Sequence, residues 1–424
     1  MPAARCYGMS RYAVVAVAVC LLGACGNDAG VETPDGGEAE SGPRFYEDVA
    51  PILAKHCVSC HRDGGVGPFP LVSLDDVLAA APAIPAMVTS RQMPPWGTDN
   101  SGACNTYRDA RWMSDAEIAT LVEWSQGSHR EGDATVAPPL PQPPPALARV
   151  DATAAMAEPY TMDAQLDDDY RCFVVDAGVT ADAFLTGFEV RPGEPEVVHH
   201  ILLFQADNAT ADANLAQLDA QTPGPGYTCF GGPGANATLL GVWAPGIRVA
   251  KYPEGTGLPI KAGRKMVLQI HYHNHAGPKP DRTAVDLMIE STVPNPSFLY
   301  LLAATSLYLP PGKAEAHTIE QYQLPGYLGQ YNVWGVFPHM HTLGKSLRVE
   351  LDHAGQNQCV TDVPRWDFNW QQGYVYDHRP LVAGGGDMLR IECVHDTTSR
   401  GTPTTWGEGT DDEMCLAFIY VSPY

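Results

Sequence analysis

The sequence predicts a multidomain chain in which a small helical unit is followed, across a proline-rich spacer, by β-sandwich modules. Three observations carry that expectation. A helical pattern with a capping signature surrounds Cys57-Val58-Ser59-Cys60-His61, the run Pro138 to Pro145 favours an extended spacer, and beyond Val150 the chain breaks into short Val-, Leu-, Ile-, Phe- and Tyr-rich runs punctuated by Gly, Pro and Asn. With 424 residues, 41 glycines and 37 prolines, the chain exceeds one ordinary domain. Asp plus Glu outnumber Lys plus Arg by 49 to 26, and the formal charge of −23 excludes nucleic acid as a partner.

At the N-terminus, Arg5 and Arg11 precede or begin an apolar run, Tyr12 to Leu22, that is too short to span a bilayer and reads as an export signal. It ends in Leu22-Gly23-Ala24-Cys25, which resembles a bacterial lipobox. Cys25 would then carry lipid, with residues 1–25 as signal and 26–43 as a flexible tether. The bland alternative is an ordinary signal-peptidase site. The expectation is an exported protein, lipid-anchored in the bacterial cell envelope at the periplasmic face or cell surface, where disulfides persist. Cys6 and Cys20 leave with the signal. Once Cys25, Cys57 and Cys60 are assigned, six of the eleven cysteines remain, an even number consistent with three disulfides.

Residues 44–131 follow. The C-x-x-C-H pattern at Cys57, Cys60 and His61 is that of c-type haem attachment, in which two thiols bond the porphyrin and the histidine takes an axial iron position. A redox or zinc C-x-x-C pair would need partners that are not visible in the sequence. Apolar Val49, Ile52 and Leu53 predict a helix over 45–55. Ser114 with Glu117 forms a capping box for a second helix that Gly127 ends. This segment resembles a cytochrome c domain holding one haem c. Met93, stiffened by Pro94 and Pro95, is the expected second axial ligand, with Met87, Met113 and His56 as rivals. Residues 132–149 form the linker.

The β-rich remainder predicts strands over 183–190, 197–204, 266–273, 332–337, 346–351, 388–394 and 414–421. Histidines cluster on them. His339 and His341, two apart, project from one face of a strand and can grip one metal, with Met414 as a third ligand whose thioether favours reduced copper. The adjacent His199 and His200 point to opposite faces of a regular strand, so joint ligation needs a twist, a bulge or different ring nitrogens. His271, His273 and His275 share a face and by themselves suit a three-histidine zinc site. Spacing leaves these alternatives open.

From about Tyr170 to Tyr424 the ordered motifs V-H-H-I-L-L-F, L-Q-I-H-Y, H-M-H-T-L-G and D-E-M-C resemble the copper type II, ascorbate-dependent monooxygenases. The resemblance implies two jelly-roll-like sandwiches, here 150–293 and 294–424, facing across a solvent-filled cleft. It implies two coppers: an electron-donating one on His199, His200 and His271, and a dioxygen-activating one on His339, His341 and Met414. It also implies bridges Cys172–Cys229 and Cys393–Cys415. Cys104 and Cys359 would then pair, tying the cytochrome to the second sandwich. Phe337 and Phe418 stand where the peptide-hydroxylating branch has an arginine and a tyrosine, so a small apolar or aromatic substrate is expected in place of a peptide carboxylate.

The expected reaction is hydroxylation of a C–H bond with dioxygen and two electrons from ascorbate, a quinol or a cytochrome, the fused haem being a candidate route. The alternatives are a non-catalytic surface electron-transfer or copper-binding protein, and a haem peroxidase. His317, His353, His378 and His395 read as structural.

Overall fold

The computed structural model describes residues 41–424 apart from 66, 140–145, 246, 248, 275–276, 408 and 410, so the expected lipid-bearing Cys25, the rival ligand His275 and most of the proline run lie outside the described residues. No described helix is long and apolar enough to cross a membrane.

The helical unit is built from short segments. A wide turn, Phe45–Val49, leads into the helix Ala50–His56. The helix Asp115–Gln126 starts where the sequence places it, because both capping-box bonds form: the Ser114 hydroxyl accepts from the Glu117 amide at 3.2 Å and the Glu117 carboxylate accepts from the Ser114 amide at 2.7 Å. Phe45, Val49, Leu53, Val58, Leu121 and Trp124 fill its core with the shorter helices Leu74–Ala80 and Ile84–Thr89.

The first sandwich packs a five-stranded sheet, ordered Tyr227–Thr228, Asp168–Val175, Met266–His273, Val198–Ala206, Ala237–Trp243, onto a six-stranded sheet centred on Ala183–Arg191. Period-two alternation puts Ile201, Leu203, Leu268 and Ile270 into one core. The second sandwich packs Phe298–Ala303, Cys415–Pro423, Tyr331–Met340 and Tyr374–Val375 onto Ala316–Gln323, Met388–His395, Gly344–His353 and Gln356–Val363. The two sandwiches meet where Tyr420 stacks on Tyr252, ring centroids 5.0 Å apart.

One element was not expected. The helix Ala209–Gln221 interrupts the β-rich region, capped by the Asn208 side chain, which accepts from the Ala211 amide. Leu215 buries it against the Cys172–Cys229 disulfide.

All three disulfides pair as the sequence reading has them: Cys104–Cys359, Cys172–Cys229 and Cys393–Cys415. The first joins residues 255 apart in sequence. Around it Trp96 and Tyr107 enter the core of the second sandwich, Asn105 donates to the Cys359 carbonyl, and the Asp99 amide donates to the Asp362 carbonyl. The stretch between the helical core and Asp115 therefore docks on the second sandwich.

Candidate functional site

The strand Val198–Ala206 pairs with Met266–His273 with Val198 opposite Tyr272 and His200 opposite His271, and the register slips between them. His199 is the extra residue of a β-bulge. That slip resolves the tension between adjacent histidines, because His199, His200 and His271 turn their Nδ1 atoms to one point, separated by 3.2, 3.1 and 3.3 Å. Imidazole nitrogens about 2.0 Å from one ion at near-tetrahedral angles stand roughly 3.3 Å apart.

The proton positions suit a cation. His271 donates its Nε2 proton to the Asp168 carboxylate at 2.8 Å, so its Nδ1 carries a lone pair. Tyr170 stacks on the same ring at 4.2 Å and holds its orientation. Three Nδ1 atoms so close together, one of them with its lone pair turned to the common point, suit a shared cation. Burial first, then the neighbouring histidines, drives the His200 pKa well below its ordinary value. Burial likewise lowers His271 against the opposing pull of Asp168. Neutral imidazoles are the form a metal binds.

His273 is not part of this convergence. Its Nδ1 is 2.9 Å from Asp168 and its side chain is 44% exposed. Among the described residues, the three-ligand cluster is His199, His200 and His271.

In the second sandwich, His339 and His341 lie on one face with ring centroids 5.1 Å apart. His339 Nδ1 donates to Gln371 Oε1 at 2.6 Å and His341 Nδ1 donates to the Asp412 carbonyl at 3.2 Å, which leaves both Nε2 lone pairs free. Burial brings His339 down to about 3 and lowers His341. His339 pairs with Leu416 and Met340 with Cys415 at the end of the ladder, and just beyond it the His341 and Met414 amides both donate to Glu413. Met414 is buried, and the Cys393–Cys415 disulfide fixes the strand start beside it.

Between these two segments sits Glu413, fully buried, which accepts backbone N–H bonds from His341, from Leu343 at 3.0 Å and from Met414 at 2.9 Å. Sequence reasoning quoted it within D-E-M-C and gave it no role. Asp168 and Gln371 were also missed. Spacing gives no signal for either, since both reach the histidines from other segments.

Phe337 pairs directly with Phe418 across the strands. Alternation places both on the face that carries His339, His341 and Met414. Leu416 and Ala303 extend the same apolar surface.

Residues 155–279 match the N-terminal domain, and residues 305–423 the C-terminal domain, of copper type II ascorbate-dependent monooxygenases. The chain belongs to that family. Relatives include DBH-like monooxygenase protein 1 of Mus musculus, 25% identical over 258 residues, 55% of this chain and 40% of that protein. Tyramine beta-hydroxylase of Caenorhabditis briggsae is 26% identical over 55% of this chain and 41% of its own length. Dopamine beta-hydroxylase of Canis lupus familiaris is 24% identical over 55% and 39%. The chain thus spans about two fifths of the length of the curated relatives it matches. Both histidine clusters fall inside the family's matched regions, and the family uses copper. Residues 41–150 lie outside both matched ranges.

There, the C-x-x-C-H motif follows the helix Ala50–His56. Cys57 and Cys60 are not disulfide-bonded. Burial pushes the Cys57 thiol up to about 12, the opposite of what a redox or zinc thiolate needs. His61 is buried and its Nδ1 donates to the Phe69 carbonyl at 3.0 Å, so Nε2 is the free ligand atom. Gly67 lies so close that a Cβ there would come within 2.8 Å of His61 Nδ1. These features fit haem attachment. Met93 is half-buried and lines a small recess with Trp96, Arg111, Trp112, Met113 and Arg365, a set containing none of Cys57, Cys60 and His61. Among its rivals, His56 has its Nε2 taken by Glu117 at 3.1 Å, Met113 is buried in the helical core and Met87 is 37% exposed.

Proposed function

We propose that the protein is a two-copper monooxygenase that hydroxylates a C–H bond of a small apolar or aromatic molecule. One oxygen atom of dioxygen enters the product, and the other leaves as water with two electrons and two protons. The observation that carries the reading is the pair of donor sets: three converging Nδ1 atoms in one sandwich, and in the other two free Nε2 atoms on a strand whose end shares Glu413 with the backbone of the buried Met414. Copper bound at these sites would supply one-electron redox change and dioxygen activation. The residues supply the rest. Asp168 and Gln371 fix the tautomers of His271 and His339, Glu413 ties His341 to Met414, and the bulge at His199 completes the first set. The roles of His339, His341 and Met414 at the oxygen-activating site, and of His199, His200 and His271 at the electron-donating site, belong to this proposal.

The substrate class rests on Phe337 and Phe418. Their cross-strand pair offers an aromatic surface and no cation for a carboxylate. Electrons come from ascorbate, a quinol or a cytochrome. The proposal includes a c-type haem on Cys57, Cys60 and His61, with Met93 as second axial ligand, serving as an intramolecular donor, and an exported, Cys25-lipidated mature chain.

Elemental analysis with an oxygen-uptake screen tests the reading. Two coppers and one iron per chain are expected, with substrate-dependent oxygen consumption and incorporation of labelled oxygen. Bound zinc and no copper after copper loading would defeat it. Copper without any turnover across aromatic and aliphatic substrates would leave the non-catalytic copper-binding alternative. A haem that stays reduced while product forms would remove the intramolecular route alone.

A further inference from the structure

The segment 364–373 joins two strands of the second sandwich, yet its side chains reach in three directions. Trp366 Nε1 donates to the His341 carbonyl at 3.0 Å, and its ring lies 6.3 Å from that of His339 at 90°. Gln371 holds His339 through Oε1 and donates from Nε2 to the Phe368 carbonyl at 2.9 Å. On the helical side, Arg365 donates to the Ser90 carbonyl at 2.7 Å and Arg111 donates to Gln372 Oε1 at 2.9 Å.

The middle of the segment is a tight turn. The Trp370 amide donates to the Asp367 carbonyl at 3.1 Å, and the Asp367 carboxylate accepts from the Asn369 amide at 2.9 Å. Asp367 and Asn369 are exposed, whereas Phe368 between them is half-buried. Its ring leaves its own sandwich and stacks on His199 of the first, centroids 5.0 Å apart at 26°, while lying 6.2 Å edge-on from His341. The rings of His199 and His341 can therefore be no further apart than those two distances laid end to end.

We infer that segment 364–373 sets the separation of the two histidine clusters, with Phe368 as the positioning residue that bridges His199 and His341. The inference rests on the proposal that both clusters take copper. It adds a mechanical role: the element that orients His339 and His341 also reaches the first site, and its two ends are anchored on the segment that the helical unit contributes. An aromatic ring at this place keeps the clusters close and displaces water between them. Phe368 touches a ligand ring of each cluster and no position the sequence reading assigned to substrate.

The test is electron paramagnetic resonance on the full chain loaded with two Cu(II) ions, in the wild type and in Phe368→Ala, Phe368→Leu and Phe368→Tyr. The wild type should show dipolar broadening between the two centres. Phe368→Ala should keep both coppers and lose the broadening, and Phe368→Tyr, which retains the ring, should restore it. Phe368→Leu, nearer in volume, guards against a folding defect in the alanine variant and should lose most of the broadening. A purely structural side chain would change thermal stability without changing this coupling. Two bound coppers with no coupling in the wild type, or unchanged coupling in Phe368→Ala, overturn the inference and leave the copper sites standing. Failure of the wild type to bind copper overturns the proposed function and this inference with it.

Discussion

Glu413→Gln should destabilise the second sandwich by about 2 kcal/mol and loosen the His341–Met414 pair. Glu413 is fully buried and its two oxygens accept three backbone N–H bonds, from His341, Leu343 and Met414. Glutamine has nearly the same shape but only one acceptor oxygen. The better of its two orientations keeps the oxygen on His341 and Met414 and turns an NH2 against the Leu343 amide, so a buried donor faces a donor. One such unsatisfied group costs about 1–3 kcal/mol, and the stranded side-chain NH2 adds a comparable amount. Against this stands a gain, because glutamine removes a buried charge whose desolvation opposes the fold. Burial raises the Glu413 pKa to about 7 against the three N–H bonds, so near neutral pH the group is only partly ionised; the gain from removing its charge is correspondingly small and a net cost of about 2 kcal/mol remains. Glu413→Ala orphans all three amides and opens a void, so it should cost several kcal/mol, more than the glutamine variant.

Guanidinium unfolding of the metal-free protein, read by near-ultraviolet circular dichroism, measures the first quantity. Copper stoichiometry after dialysis against a weak chelator measures the second. The expected order of midpoints is wild type, then glutamine, then alanine, with one of two coppers lost in the alanine variant. An alanine variant with the wild-type midpoint and two retained coppers would refute the reasoning, since three buried amides cannot lose their acceptor without cost.

Asp168→Ala should weaken copper at the first cluster about 10- to 100-fold, the usual effect of losing the group that orients a ligating histidine; chelator competition reads it, and an unchanged affinity removes Asp168 from the site. Met414→Ala should abolish hydroxylation with the first cluster still loaded, whereas His200→Ala should impair electron delivery; rapid-mixing kinetics separate the two, and full turnover by Met414→Ala would move the oxygen-site ligand elsewhere. The metal-free protein should lose stability on acidification. His339 is lowered to about 3 and His395 to about 4, both first by burial. Between those values and about 6.5 the unfolded chain binds protons that the native state does not. Glu413, raised to about 7 by burial, works the other way above about 4.5, but His200, His271 and His341 are lowered as well and outnumber it. Stability therefore rises with pH across that window and is lost as pH falls through it. Thermal melts at pH 7 and pH 5 check the sign, and a higher midpoint at pH 5 would contradict it.

Much of the fold was legible because local patterns agreed with tertiary demands. The strand Met266–His273 coincides with its apolar run, and the helix Asp115–Gln126 begins at its capping box. The helix Ala209–Gln221 was not read, although Asn208 is a recognisable cap, because its alanine-rich sequence has only a weak apolar stripe and lies between strong strand signals. The docking of Trp96 and Tyr107 on the second sandwich has no local signature, since it depends on contacts some 250 residues away that only the Cys104–Cys359 pair hints at.

The candidate site divides along the same line. Histidines two apart on a strand share a face whatever the rest of the fold does, so His339 and His341 were readable as a pair. Spacing alone did not unite His199 and His200, which only the family resemblance put at one site, because a regular strand separates them and the register slip that brings them together is a property of pairing with Met266–His273. The groups that orient the histidines were still less visible. Asp168, Gln371 and Phe368 come from other segments, and each acts through one hydrogen bond or one ring contact whose existence depends on the assembled sheets. A motif specifies donor atoms, while the tautomer, the aim and the spacing of those donors are set by residues that carry no motif. In this chain the second task falls largely to one carboxylate per cluster and to a single ten-residue segment, which is where substitutions should alter the chemistry without removing a metal ligand.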